Sequence, residues 1–240
     1  MQFRLRSVKA RREVVCRLPL ICALALSLFG CSRLPELTPP SGAPCTEATG
    51  FCLRPFPARP WRAVHTIHIS GPFGHESSVV GVTVVDPASR SIRAVILSLE
   101  GVTLFDASSR AGEITVHRAV PPLDRKGFPE GLMHDVSLMF LLPRGTLTQT
   151  GRNDEGCLVC RWRDDPSGAT DLIFARPDEW QILRYDNGHT LRRELEAAAL
   201  PGEPLALRIR FSCRGVAGYS LDLGLLEAES LTEYEALFSP

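Results

Sequence analysis

The sequence predicts a mainly β protein of the α+β class, built on one antiparallel sheet with a helix inserted near its middle. Three observations predict it. Period-two alternation of apolar and polar residues recurs from Trp61 to Leu225, the mark of strands with one buried face. The stretches between the runs are short and rich in turn residues, too short for crossover helices, so neighbouring strands pair antiparallel. A single stretch, Pro129–Leu142, repeats its apolar residues at helical spacing.

Before the alternating region stand three zones. Met1–Arg17 carries six basic residues against Glu13 alone, and Leu18–Phe29 is apolar apart from Ser27. A basic end, a short apolar run and a small residue before a cut site make an export signal. The apolar run falls short of the ~20 residues that span a bilayer. It closes on Leu28-Phe29-Gly30-Cys31. This quartet resembles the lipobox of bacterial lipoproteins, whose cysteine thiolate takes a diacylglyceryl group. The resemblance implies that residues 1–30 are a signal peptide and that Cys31 is the lipid-attachment residue. Ser32 stands where an Asp commonly retains such proteins at the inner membrane. The implied location is therefore the outer membrane, lipid-anchored, with the domain in the periplasm.

Residues 31–60 read as a tether. Pro35, Pro39, Pro40, Pro44, Pro55, Pro57 and Pro60 interrupt any helix or central strand. Such a segment is semi-extended and holds a domain clear of a membrane. Cys45 and Cys52 lie within it, and an oxidising compartment favours a small disulfide loop between them. The alternative is that one of them pairs with the domain.

The domain spans residues 61–228. Trp61–Ser70 has Trp61, Ala63, Ile67 and Ile69 on one parity, and Ser78–Asp86 repeats the pattern with Val80, Val82 and Val84. Asp86-Pro87-Ala88-Ser89 is a turn signal. Ile92–Leu99 is apolar on both parities and reads as a central strand. Val102–Phe105 and Glu113–Val120 follow, and Pro121-Pro122 stops the sheet. In Pro129–Leu142, Leu132, Val136, Met139 and Leu142 form an apolar stripe widened by Met133 and Phe140. Glu130 sits in its first turn and Pro143 ends it. Ser137–Leu142 also admits a strand reading.

Strands resume with Gly156–Arg163, Thr170–Ala175 and Glu179–Tyr185. Asp186-Asn187-Gly188 is a hairpin signal, because Asn-Gly tolerates the positive φ of a type I′ turn. Thr190–Glu196 reads equally as a strand or a short helix. Leu205, Leu207, Ile209 and Phe211 then alternate with polar residues or alanine, as do Tyr219, Leu221, Leu223 and Leu225. Glu227–Pro240 is acidic and reads as a fraying end or a short helix, so residues 229–240 are set apart as a tail.

Composition excludes several function classes. The chain balances 27 basic and 27 acidic residues, and removal of residues 1–30 leaves 21 against 26. A net negative domain argues against a nucleic-acid partner. No Walker loop, dinucleotide glycine pattern or Gly-x-Ser-x-Gly elbow is present. His65 and His68, three apart on a strand, point to opposite faces and make a poor metal pair. His75-Glu76 lacks the second histidine of a zinc-protease helix. Cys157-Leu158-Val159-Cys160 has redox spacing, yet no βαβ unit surrounds it. A structural disulfide is the better reading, with thiol oxidoreduction a distant alternative. These observations predict neither an enzyme nor a cofactor.

The order of lipobox, Pro-rich tether, meander, apolar helix and closing strands resembles outer-membrane lipoproteins with the LolA/LolB-like fold, most clearly along Leu132-Met133-His134-Asp135-Val136-Ser137-Leu138-Met139-Phe140. The resemblance implies a curved antiparallel sheet, an incomplete β-barrel, with one or a few helices plugging its concave face and an apolar cavity between. It also implies a lipid or lipoprotein ligand and a possible envelope protein partner. The apolar sheet surface predicted here exceeds what one helix covers. Val80, Val82, Val84, Leu132, Val136, Met139, Leu205, Leu207 and Ile209 are the candidate cavity residues, and the alternative is a core filled by side chains. The competing function is a structural adaptor of an envelope machine.

Overall fold

A computed structural model describes residues 34–39, 50–71, 74–164, 166, 168–200, 203, 205–215 and 218–231. Cys31 and Cys45 lie outside them. The chain divides after Leu34, and the fold below belongs to the unit that begins at Pro35.

Twelve strands form one open antiparallel sheet in the order β5-β4-β3-β2-β1-β12-β11-β10-β9-β8-β7-β6. In chain order they are β1 (Trp61–Ser70), β2 (Glu76–Asp86), β3 (Ser91–Leu97), β4 (Thr103–Arg110), β5 (Glu113–Ala119), β6 (Thr146–Arg152), β7 (Leu158–Asp164), β8 (Gly168–Arg176), β9 (Glu179–Tyr185), β10 (Leu191–Ala199), β11 (Ala206–Cys213) and β12 (Tyr219–Ser230). Every strand pairs with its sequence neighbour except at two places. The first strand pairs with the last, and β5 and β6 are the free edges, joined by the helix α1 (Phe128–Phe140). The expected mainly β architecture, an open curved sheet with helical structure packed against it, is what forms.

Turn chemistry sets the meander. Ala111 and Gly112 both have positive φ between β4 and β5, the signature of a two-residue I′ turn that matches strand twist. The Asp186–Thr190 connection differs from expectation. Its positive φ falls on His189, and Asp186 organises a five-residue loop by accepting the backbone N–H of Thr190. The helix starts after Gly127 with Pro129 in its first turn, where a missing N–H costs nothing.

The core lies on one face of the sheet, against α1. Trp61 pairs with Val85, Ala63 with Thr83 and Ile67 with Val79, so these side chains share the helix face. Val80, Val82 and Val84 pair instead with Thr66, Val64 and Arg62. They therefore occupy the opposite face, not the expected cavity. Strand β2 is apolar on both parities, so alternation alone left its facing ambiguous, and the register with Trp61 decides it. Strand β10 resolves to a strand despite its alanines, because Leu195 and Ala197 are buried between Ile182 and Trp180 of β9 and Phe211 and Ile209 of β11. Tertiary burial overrides helix propensity there.

Three further expectations are corrected. Thr146–Arg152, unassigned from sequence, is edge strand β6. Glu227–Ser230 does not fray: it continues β12 past a bulge opposite Val64 and His65, and Glu227 and Glu229 both bridge to Arg62. Cys52 is bonded to Cys160 of β7, with the two Cα atoms 5.9 Å apart, so the small Cys45–Cys52 loop gives way to the alternative in which one of these cysteines pairs with the domain. The segment read as a free tether is also tied to the sheet. Thr38 exchanges two backbone hydrogen bonds with Arg152 of β6. Gly151 permits that approach, since a Cβ there would stand 2.7 Å from the Thr38 carbonyl oxygen.

Candidate functional site: an apolar groove where the first and last strands meet

Among the described residues, the interior between α1 and the sheet is filled by side chains. Met133, Leu138, Met139 and Phe140 of the helix pack into one cluster with Phe105, Leu172, Ile182, Leu195, Phe211 and Leu223. The void beside Met139, Phe140 and Ile209 is only about 10 Å³, too small for any ligand.

Space opens instead at the end of the sheet where β1, β11 and β12 meet. A groove of about 620 Å³ is lined by residues 57–60, Trp61, Leu200, Glu203, Leu205, Leu207, Leu225, Ala228, Glu229 and Ser230. Its floor is apolar because β12 presents Leu225 and Ala228 on the same face as β1 presents His65 and Ala63. Its wall is the Pro57–Pro60 segment, which follows the disulfide at Cys52. Leu207 and Leu200 remain 47% and 53% exposed at its rim.

Trp61 stands between groove and core. Its ring meets Phe140 edge-on at 5.2 Å, and its buried indole N–H has no acceptor among the described residues. A buried donor without a partner is costly. On the same strand face, His65 is 2% exposed beside the Phe140 ring. Burial lowers its pKa to about 4, so the ring is neutral at physiological pH.

One polar latch fixes the helix over the sheet. Asp135 of α1 is buried and accepts hydrogen bonds from the Arg193 guanidinium of β10 and the Tyr219 hydroxyl of β12. Burial, then the Asp135 charge, raises the Tyr219 pKa, which keeps its hydroxyl a donor. Burial likewise pushes the Cys213 thiol up.

Of the candidate cavity residues, Leu205 and Leu207 line the groove. Met139 and Ile209 are buried beside the small void, and Leu132 and Val136 pack against the core from the helix. Leu225 was expected on the apolar face of the late strands, whereas Trp61 and the Pro57–Pro60 wall were not expected at the site. Their meeting depends on the β1–β12 pairing, which no local pattern announces. Cys160 is fully buried and committed to Cys52, so Cys157 and Cys160 are not a dithiol pair. His65 and His68 do point to opposite faces, and His68 meets Ser78 at 2.9 Å on the outer one. Among the described residues, no three His, Cys, Asp or Glu side chains converge as a metal site.

No protein-family profile matches the chain, and no curated protein matches its sequence. Solved structures do match its fold. A LolA-superfamily protein from Nitrosomonas europaea aligns with a TM-score of 0.54 at 10% identity, over 83% of this chain and 99% of that one. The fold is LolA-like. A DUF1329-family protein from Desulfovibrio piger aligns at TM-score 0.44 and 12% identity, over 82% of this chain and 97% of that one. Among the described residues, α1 packs directly onto one face of the sheet, and the groove lies at the strand ends.

Proposed function

We propose that the protein is a lipid-anchored outer-membrane lipoprotein, attached through Cys31, that binds an acyl chain in the groove beside Trp61 while facing the periplasm. The observation that carries this reading is the groove itself, apolar and within the size range of small-molecule sites. Its LolA-like fold supports a lipid or lipoprotein ligand over a soluble metabolite. Burying a chain of about sixteen carbons gives roughly 10 kcal/mol gross at about 0.8 kcal/mol per methylene. Association and ordering costs take back much of that, so micromolar affinity is expected. The test is displacement of an anthroyloxy-labelled stearic acid by unlabelled fatty acid, with Trp61→Ala and Leu207→Asp weakening the probe. Attachment is tested separately: Cys31→Ala should release the protein from the outer-membrane fraction.

The filled interior favours a second reading, a structural adaptor of an envelope assembly. Edge strand β5 is largely exposed along Glu113–Ala119 and offers unpaired backbone groups to a partner strand. Absence of saturable acyl binding by a folded protein would leave the adaptor as the better account.

A further inference from the structure

We propose that the helix-side face of the sheet carries a second site, at the end away from the groove, where Arg184 and Arg193 with Arg144 and His134 bind a phosphate group, free or on a lipid headgroup. The site is independent of the groove. Strand β11 gives Leu207, near its start, to the groove and Cys213, its last residue, to the end where the arginines gather.

Register builds the site. Thr170 of β8, Arg184 of β9, Arg193 of β10, Cys213 of β11 and Tyr219 of β12 are successive cross-strand partners, so they form one row on one face. That face is the helix side, because Tyr219 donates to Asp135 of α1. The row sets two guanidinium side chains directly opposite each other on neighbouring strands, which costs stability between like charges. They are only 11% and 22% exposed, so salt screens the repulsion poorly. Two carboxylates answer them. Asp135 accepts from Arg193, and Asp164 stands 3.9 Å from Arg184, whose Nη1 donates to the Thr170 hydroxyl at 3.0 Å. Further cations close in. Arg144 is exposed. Arg90 donates to the Leu142 carbonyl at 3.0 Å, and burial, then Arg144, lowers its pKa against the pull of Asp164. His134 is exposed as well. Enough protein surrounds it, however, that desolvation and then Arg193 lower its pKa, with Arg184 and Arg144 adding to the effect and Asp135 opposing it. Among the described residues, four guanidinium groups thus gather around two carboxylates. A phosphate monoester carries a charge of about −1.5 to −2 at pH 7, which matches that excess. Guanidinium forks also take phosphate oxygens two at a time.

The test follows the His134 ring signals by NMR in the whole chain carrying Cys31→Ala, so that no acyl anchor contributes; His134→Gln identifies the signals. Inorganic phosphate and, separately, monomeric dihexanoyl phosphatidic acid should each shift them saturably at constant ionic strength. Arg184→Gln should weaken binding roughly tenfold or more, and the exposed Arg144→Gln roughly three- to tenfold. Arg208→Gln, on the outer face beside Asp222, should change nothing. A tighter response to phosphatidic acid than to inorganic phosphate assigns the site to a headgroup, and an equal or weaker one assigns it to the free ion; both uphold it. Shifts that chloride reproduces at matched ionic strength overturn the proposal. Shifts unchanged in both arginine variants overturn it too, as does the absence of a saturable response in a protein that still unfolds cooperatively.

Discussion

Arg161 of β7 and Asp171 of β8 face each other directly across the strand pair and form two parallel hydrogen bonds, each 2.7 Å, with side chains only 4% and 2% exposed. They lie on the sheet face opposite the disulfide, since Cys160 pairs with Leu172 next door. A bidentate pair is stable when buried only as a pair. Asp171→Leu should therefore cost about 3–5 kcal/mol by stranding the arginine, and Arg161→Met/Asp171→Leu together should recover most of it. Urea unfolding of the three proteins measures this. A single variant within about 1 kcal/mol of the parent would show that the charges are not desolvated.

His65 gives the fold an acid sensitivity of predictable sign. Its folded pKa is lowered to about 4 from 6.5 by burial. Between those values the unfolded chain binds a proton that the folded chain does not. Stability therefore falls as pH drops through that window. From pH 7 to pH 5 the loss from this one group is about 2 kcal/mol. His65→Leu should flatten the pH dependence by that amount, measured as the difference in unfolding free energy between the two proteins at each pH. Parallel pH profiles would sink the assignment.

Strands with a clear single-face pattern were legible in the sequence. Strand β1 occupies the very residues that alternation marks, β9 those read as a strand, and α1 lies within two residues of its periodic stripe. Strand β6 was not legible because an edge strand exposed on one side can be as polar as Thr-Leu-Thr-Gln-Thr. The second half of β4 was not legible for another reason: past Phe105 its inward positions are only Ala107 and Ser109, set between Asp106 and Ser108. In the candidate site, Leu205 and Leu207 were legible as apolar positions. Trp61 was not, because its neighbours come from the far end of the chain. The disulfide misled for a similar reason: Cys45 is near Cys52 in sequence, whereas Cys160 is near only in the fold.

The Cys52–Cys160 bond closes a loop of 108 residues, and a loop of about that length is worth roughly 3–5 kcal/mol through the unfolded state. Cys52→Ala/Cys160→Ala should lose that much stability. Because the bond pins the segment that continues into the groove wall, the variant should also bind the labelled fatty acid more weakly under conditions where it remains folded. Full stability in the variant would show that the entropic constraint is offset elsewhere; unchanged probe binding would show that the wall is held by its own packing.

The latch at Asp135 is expected to act through its two donors unequally. Tyr219→Phe removes one hydrogen bond to a charged acceptor and should cost about 1.5–3 kcal/mol. Arg193→Met strands a buried carboxylate and should cost more, about 3–5 kcal/mol. Thermal unfolding ranks them, and the reverse order would mean that solvent already reaches Asp135.

The pairing of β1 with β12 also bears on how the chain reaches its native state. Of the eleven neighbouring strand pairs, ten join strands consecutive in sequence; the eleventh, the seam between β1 and β12, joins Trp61 to Ser230 and can form only when the last strand exists. Contacts of such separation form late and slowly, because loop-closure entropy must be overcome first. A chain made N-terminus first therefore carries β1 with one flank unpaired until the last strand has been added. The groove, whose walls come from both sides of that seam, is the last part of the molecule to come into being.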